Sequence, residues 1–149
     1  MRENSRRGDP GFKSISTDSG RTWKGPYATL MEGCHRPVAG ILSSGRILIT
    51  YRCQVGGLIG HENLFAYIED INSALERDRS KQTGRILPLD HDNNPRPDTG
   101  YSGWVQFPNG EILAVYYIKG EAERAYIKGV FFNETDFCLS WTPSKQPVE

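Results

Sequence analysis

No apolar run in this 149-residue chain is long enough to span a bilayer, and its start, MRENSRRGDPGF, lacks the apolar core of a secretory leader. The expectation is a cytoplasmic chain with no membrane among its partners. An excess of one charge is also missing: 18 Lys and Arg balance 18 Asp and Glu. Nothing electrostatic therefore points to nucleic acid or an anionic surface. The one basic cluster, Arg2, Arg6 and Arg7, reads as a solvated end. Cysteine is scarce. Cys34, Cys53 and Cys138 are odd in number, far apart in sequence and without a Cys-x-x-Cys. That argues against a disulfide framework and against a zinc site, while one disulfide stays compatible with export. No phosphate loop, dinucleotide fingerprint, Gly-x-Ser-x-Gly elbow or His-Glu-x-x-His occurs, so no cofactor or metal is expected. Helical periodicity is nearly absent, with one or two turns expected within residues 71–82.

What is present is turn chemistry between short β-rich runs. With 16 Gly, 9 Pro and 11% aromatic residues, the composition suits many strands and turns. Strands are expected at FKSIST and TWKGPYA, on either side of a Ser-Ser-Gly turn in CHRPVAGILSSGRILITYRC, at NLFAYIED and GRILPLD, on either side of Pro-Asn-Gly in YSGWVQFPNGEILAVYYIK, and at AYIKGVFFNE. QVGGLIGHE reads as a Gly-rich loop, residues 1–10 as a loose lead, and LSWTP as a further short strand. The chain also repeats. SSGRILITY at 43–51 superposes on PNGEILAVY at 108–116, a shift of 65 residues that places His35 on Gly100 and Arg36 on Tyr101. A shift of 64 places GRTW at 20–23 on GRIL at 84–87. A period of this length with four strands per unit is what β-propeller blades produce. The expected fold is all-β: a partial propeller of four-stranded antiparallel blades, with the end of one blade at 11–30, a full blade at 34–90 and a further one at 100–142. A closed propeller takes about 4–8 blades. The chain is therefore expected to be the remainder of a longer protein, or to assemble as a homo-oligomer in which three copies close a six-bladed ring.

One stretch carries a stronger signal. Residues 16–23 read Ser-Thr-Asp-Ser-Gly-Arg-Thr-Trp, of the form Ser-x-Asp-x-Gly-x-Thr-Trp. Ser16 and Asp18 can accept bonds from turn N–H groups, Gly20 can take positive φ, and Trp23 is expected to anchor the outgoing strand. The stretch resembles the Asp-box, or BNR repeat, of the sialidase superfamily at every fixed position. Residues 81–87 read as a decayed copy. TGYSGWVQFPNGEILAVYY resembles the sialidase segment in which a Tyr-Ser pair opens the innermost strand of a late blade. The resemblance implies a tyrosine nucleophile at Tyr101. A sialoside bears a carboxylate on its anomeric carbon, which repels a carboxylate nucleophile; a neutral phenol avoids this but needs a base.

In a propeller, the starts of the first strands gather at one channel mouth. Here those segments present His35 and Arg36 from one repeat, and Arg96, Asp98 and Tyr101 from the next. Charged and phenolic groups in such a funnel suit an anionic or polyhydroxylated carbohydrate ligand. Arg36 and Asp98 read equally as an ion pair or loop cap between blades. On the resemblance, Tyr101 would be the nucleophile, Asp98 a polar partner or acid/base, and Arg36 and Arg52 substrate clamps, with Arg52 at the end of its strand. The position where an upstream family arginine is expected holds His61 and Glu62. The family's opening Arg-Ile-Pro, first-blade aspartate and upstream base glutamate have no counterpart, so the two segments look more like sialidase-like BNR proteins than complete neuraminidases. Asp90–Asn94 is rich in oxygen ligands without EF-hand spacing. The function implied is that of a sialidase-like glycoside hydrolase or a fragment of one. The alternatives are a glycan-binding or assembly module, or an inactive truncated propeller.

Overall fold

The computed structural model describes residues 8–55 and 61–137. The Arg2/Arg6/Arg7 cluster, the Gly-rich segment 56–60, Cys138 and the LSWTP run lie outside the described residues. Among the described residues nine strands follow one another with little else. They are β1 (Pro10–Ile15), β2 (Lys24–Glu32), β3 (Cys34–Ile41), β4 (Ile47–Val55), β5 (His61–Glu69), β6 (Arg85–His91), β7 (Thr99–Gln106), β8 (Ile112–Ile118) and β9 (Tyr126–Phe132). A single α-helical turn, α1 (Ile71–Leu75), is capped by Asp70, whose side chain accepts from Ser73 N. Strand β1 begins at Pro10, inside the stretch expected to be a loose lead.

The strands form three antiparallel meanders in chain order: β1-β2, β3-β4-β5-β6 and β7-β8-β9. All-β architecture is thus observed. Among the described residues the sheets do not close into a barrel or ring. Each hairpin follows its turn residues. Leu42 and Phe107 close tight turns at Ser-Ser-Gly and Pro-Asn-Gly through matching bonds from Gly45 N and Gly110 N, both 2.9 Å, and both glycines have positive φ.

The four-stranded sheet is covered on both faces, which explains why β4 and β5 are almost continuously buried. On one face Cys34, Tyr51, Cys53 and Tyr67 pack with Met31 from the first hairpin. On the other, Leu48, Ala66 and Ile68 pack with Ile112, Ala114 and Phe132 of the third sheet. Along β4 this second face changes from apolar to polar within four residues. Leu48 lies in the core, the Thr50 hydroxyl meets the Ser102 hydroxyl at 2.9 Å, and Arg52 follows. Trp104 seals the inter-sheet contact: its ring lies where a Cβ on Gly40 would come within 2.6 Å. The outward face of the third sheet, by contrast, exposes Val105, Val115, Ile127 and Phe131. Among the described residues no helix is long and apolar enough to cross a membrane.

The Asp-box forms the β1–β2 turn. Asp18 Oδ1 accepts from Thr22 N at 2.8 Å and its Oδ2 from the Thr22 hydroxyl at 2.5 Å. Ser16 Oγ accepts from Gly20 N at 2.8 Å, and Gly20 has φ 84°. The Thr22 hydroxyl and N–H, then the Ser16 hydroxyl, hold the Asp18 carboxyl down to about 2. Trp23 departs from expectation. It is 64% exposed and folds back over the turn, its Nε1 donating to Gly20 O at 3.0 Å; it braces the turn instead of anchoring a core. Residues 81–87, read as a decayed copy, run from the end of a 3-10 turn (Arg79–Lys81) into β6; Asp78, outside that stretch, pins the turn by accepting from Ser80 N and Oγ.

Candidate functional site at the β3 and β7 bulges

The 65-residue repeat is visible in the backbone. The β3–β4 ladder slips between His35 and Val38, and the β7–β8 ladder slips between Gly100 and Gly103. At these equivalent bulges Arg36 has φ 55° and Tyr101 has φ 49°. The left-handed region is uncommon for such side chains, and a bulge re-aims the residue it carries. Both side chains are brought together: the Arg36 guanidinium carbon lies 4.5 Å from the Tyr101 ring centroid. Tyr101 also stacks on Tyr117 at 5.7 Å between centroids, with 28° between the planes. Tyr117 stands 65 residues after Arg52. An Arg and a Tyr thus occupy matching places on the first and second strands of the two repeats, with their order unchanged from one strand to the next.

Arg52 is the hub, and it is buried within β4, facing the third sheet, instead of standing at a distant loop end. Its Nε and Nη2 point at His35 Nδ1, at 3.0 and 2.7 Å. Since a guanidinium only donates, His35 Nδ1 is the acceptor and the ring proton sits on Nε2. Arg52 Nη1 reaches Glu62 Oε2 at 3.0 Å, Tyr117 Oη at 3.3 Å and Asp98 Oδ1 at 3.5 Å. Gly100, at φ 139°, lets the arginine lie close beneath the bulge: a Cβ there would meet three atoms of the Arg52 side chain at 3.2–3.4 Å. Glu62 then ties two sheets together. Its Oε1 accepts from Gln54 Nε2 at 2.5 Å and its Oε2 from the backbone N–H of Thr99, two residues before Tyr101, at 3.2 Å.

Asp98 accepts from the Tyr117 hydroxyl at 2.6 Å. Burial and then this bond to Asp98 push the Tyr117 phenol above its ordinary range, against the opposing pull of Arg52. Asp98 therefore pairs across sheets, as one sequence reading has it, but with Arg52. Arg36 faces no carboxylate within ion-pairing distance among the described residues, and its Nε is buried without a hydrogen-bond partner. Tyr101 remains 56% exposed. The cluster thus combines a hub of one guanidinium and two carboxylates beneath with, above it, an arginine that meets no carboxylate among the described residues and one exposed tyrosine.

The other expected residues go elsewhere. His61 lies on β5, but neighbours on a strand face opposite sides: Glu62 turns to Arg52, while His61 packs beside His91, 6.0 Å between rings. Arg96 is exposed on the loop before β7, where its N–H bonds Asn94 Oδ1. Glu62 and Tyr117 were not singled out from sequence as site residues. The alternation along β5 carries the signal for the first and the 65-residue shift from Arg52 for the second. In the oxygen-rich loop, Asp92 is an internal clamp. Asp92, 1% exposed, accepts from the N–H groups of Asn94, Asp98, Lys119 and Gly120 and from the Thr99 hydroxyl. Burial works against its charge, yet these donors, led by Asn94 N, hold its carboxyl below the usual range. No group of three or more metal-ligating side chains occurs among the described residues. Three surface hollows among the described residues lie away from the cluster.

No family model matches the chain, and neither does any curated protein or solved structure.

Proposed function

We propose that this chain is part of a sialidase-like β-propeller whose channel mouth receives an acidic sugar and cleaves its glycosidic bond. The observation that carries the reading is Arg36: a guanidinium set on a strained bulge, without a carboxylate partner among the described residues, against an exposed tyrosine. A carboxylate ligand completes that arginine with charge-assisted hydrogen bonds. Arg52, already engaged with Glu62 and Asp98, serves as the fixed floor and not as a second clamp. In the catalytic form of the reading, Tyr101 is the nucleophile and Asp98, beside the stacked ring pair, is the carboxylate that manages protons.

The three successive meanders, with the middle one covered on both faces, support the blade reading. The outward apolar face of β7–β9 is where a further sheet packs. Completion by three copies would put the three strands of one copy beside the two N-terminal strands of the next. Among the described residues that makes five, against four in the middle sheet. Light scattering on the purified chain distinguishes a trimer from completion by further strands of a longer chain.

A second reading, a glycan-binding module without catalysis, is favoured by one specific observation: Glu62 and Asp98 are both already engaged with Arg52. The experiment is hydrolysis of a fluorogenic sialoside by the parent and by Tyr101→Phe. Turnover lost in the variant supports the enzyme. No turnover above background in the parent, with sugar binding retained, leaves the binding module.

A further inference from the structure

The three cysteines looked isolated in sequence, but the fold makes two of them direct neighbours. Cys34 of β3 and Cys53 of β4 are cross-strand partners. Gln54 N donates to Gly33 O at 2.9 Å, so the 33–54 rung is hydrogen-bonded and the 34–53 rung is the non-hydrogen-bonded kind. At such rungs the Cα atoms stand about 4.5 Å apart with side chains closest, inside the range a disulfide spans. Both thiols point into the same layer, under the β1–β2 hairpin, with Tyr51, Tyr67 and Met31. The next rung, His35–Arg52, is the floor of the candidate site.

The pair is quiet at rest. Cys34 is fully buried and Cys53 is 5% exposed. Burial and then Glu32 push the Cys53 thiol up to about 11, and its Sγ donates to Glu32 O at 3.4 Å. The cover, however, is thin. It is a two-stranded hairpin, the least self-sufficient sheet, with Gly11 directly over Cys34: a Cβ there would lie 2.8 Å from Cys34 Cβ. A cavity of about 270 Å³, lined by Phe12, Met31 and Ile49 among others, reaches Cys34 between the hairpin and β3.

We propose that Cys34 and Cys53 are a dithiol modification site that takes small-molecule disulfides such as glutathione disulfide. When the hairpin opens, one cysteine thiolate attacks the small disulfide, forming a mixed disulfide and releasing one small thiolate. The partner cysteine then attacks the protein sulfur, closing the Cys34–Cys53 bond and releasing the second. The two protons leave the cysteines and end on the released thiols; the protein dithiol is oxidised and the small disulfide reduced. The product staples β3 to β4 one rung below His35 and Arg52. This inference is independent of the ligand that the mouth takes.

The test incubates the whole folded chain with glutathione disulfide in the low urea range below its unfolding transition, then alkylates in strong denaturant and maps peptides by mass. The expected result is a Cys34–Cys53 linked peptide with only Cys138 alkylated, and a higher melting temperature than the reduced chain. In Cys138→Ser the link still forms. Three alkylated cysteines, a persistent glutathione adduct on either residue, or a link to Cys138 overturns the proposal.

Discussion

Removing the Glu62 carboxylate tests whether the floor of the site is the buried, ion-paired hub described above. The Arg52 and Glu62 side chains are 8% and 9% exposed and meet at 3.0 Å. Deleting one partner of such a pair strands the other charge in a poor solvent, at a cost of about 3–5 kcal/mol. Two effects move the estimate within that range. Asp98, 3.5 Å from Arg52 and 57% exposed, remains to compensate the guanidinium, which lowers the cost. Thr99 N and Gln54 Nε2 lose their acceptor, which raises it. We expect Glu62→Ala to cost about 3 kcal/mol, and Glu62→Gln, which keeps the shape and one acceptor, about 2 kcal/mol. The assay is urea unfolding, read as a lower midpoint at unchanged slope. Adding Arg52→Met to Glu62→Ala should recover part of the loss, because the one carboxylate left without its guanidinium, Asp98, is 57% exposed and stays solvated. A Glu62→Ala variant within about 0.5 kcal/mol of the parent would refute the reasoning, since an exposed, screened pair behaves that way.

Other outcomes follow from the same contacts. Tyr101→Phe should leave the melting temperature unchanged, because its ring is 56% exposed, whereas Tyr117→Phe loses the bond to Asp98 and should lower stability by about 1 kcal/mol in urea unfolding. Asp92 and Asp18 both have depressed folded-state carboxyls. Their contribution is present above the unfolded value of 3.8 and is lost as pH falls through the folded values, toward about 2 for Asp18. Asp92→Asn should therefore flatten the fall of the urea midpoint with pH below that value. Asp18→Ala removes the acceptor for both Thr22 donors. It should lower the melting temperature without changing sugar affinity, since the turn lies on a different hairpin from the site; calorimetry checks both.

The strands were legible because each lies between turn residues with a mechanical reason, Ser-Ser-Gly and Pro-Asn-Gly above all. The repeat went further. A shift of 65 aligned Arg36 with Tyr101, and the fold gives both the same bulge and the same sign of φ. Trp23 was misread because an aromatic at a strand start looks like a core anchor, while its indole N–H has a closer partner in its own turn, Gly20 O. Arg52 looked peripheral because a charge at the end of an apolar run usually marks solvent. Here three facing groups, His35, Glu62 and Tyr117, supply acceptors inside the fold. Glu62 and His61 could be told apart only by knowing which face of β5 meets the third sheet. The Cys34–Cys53 rung needed the β3–β4 register, which a hairpin turn implies but a residue count alone does not fix.

The central claim is that Arg36 waits for a ligand carboxylate. It is tested most directly by titrating the folded chain with N-acetylneuraminic acid and with its methyl ester, on the parent and on Arg36→Ala, by chemical-shift perturbation. The account predicts that the parent binds the acid at least about tenfold more tightly than the ester, a difference of about 1.4 kcal/mol. It also predicts that Arg36→Ala erases this preference, with the shifts centred on β3 and β7. Equal affinity for acid and ester, or a preference that survives in Arg36→Ala, would contradict it.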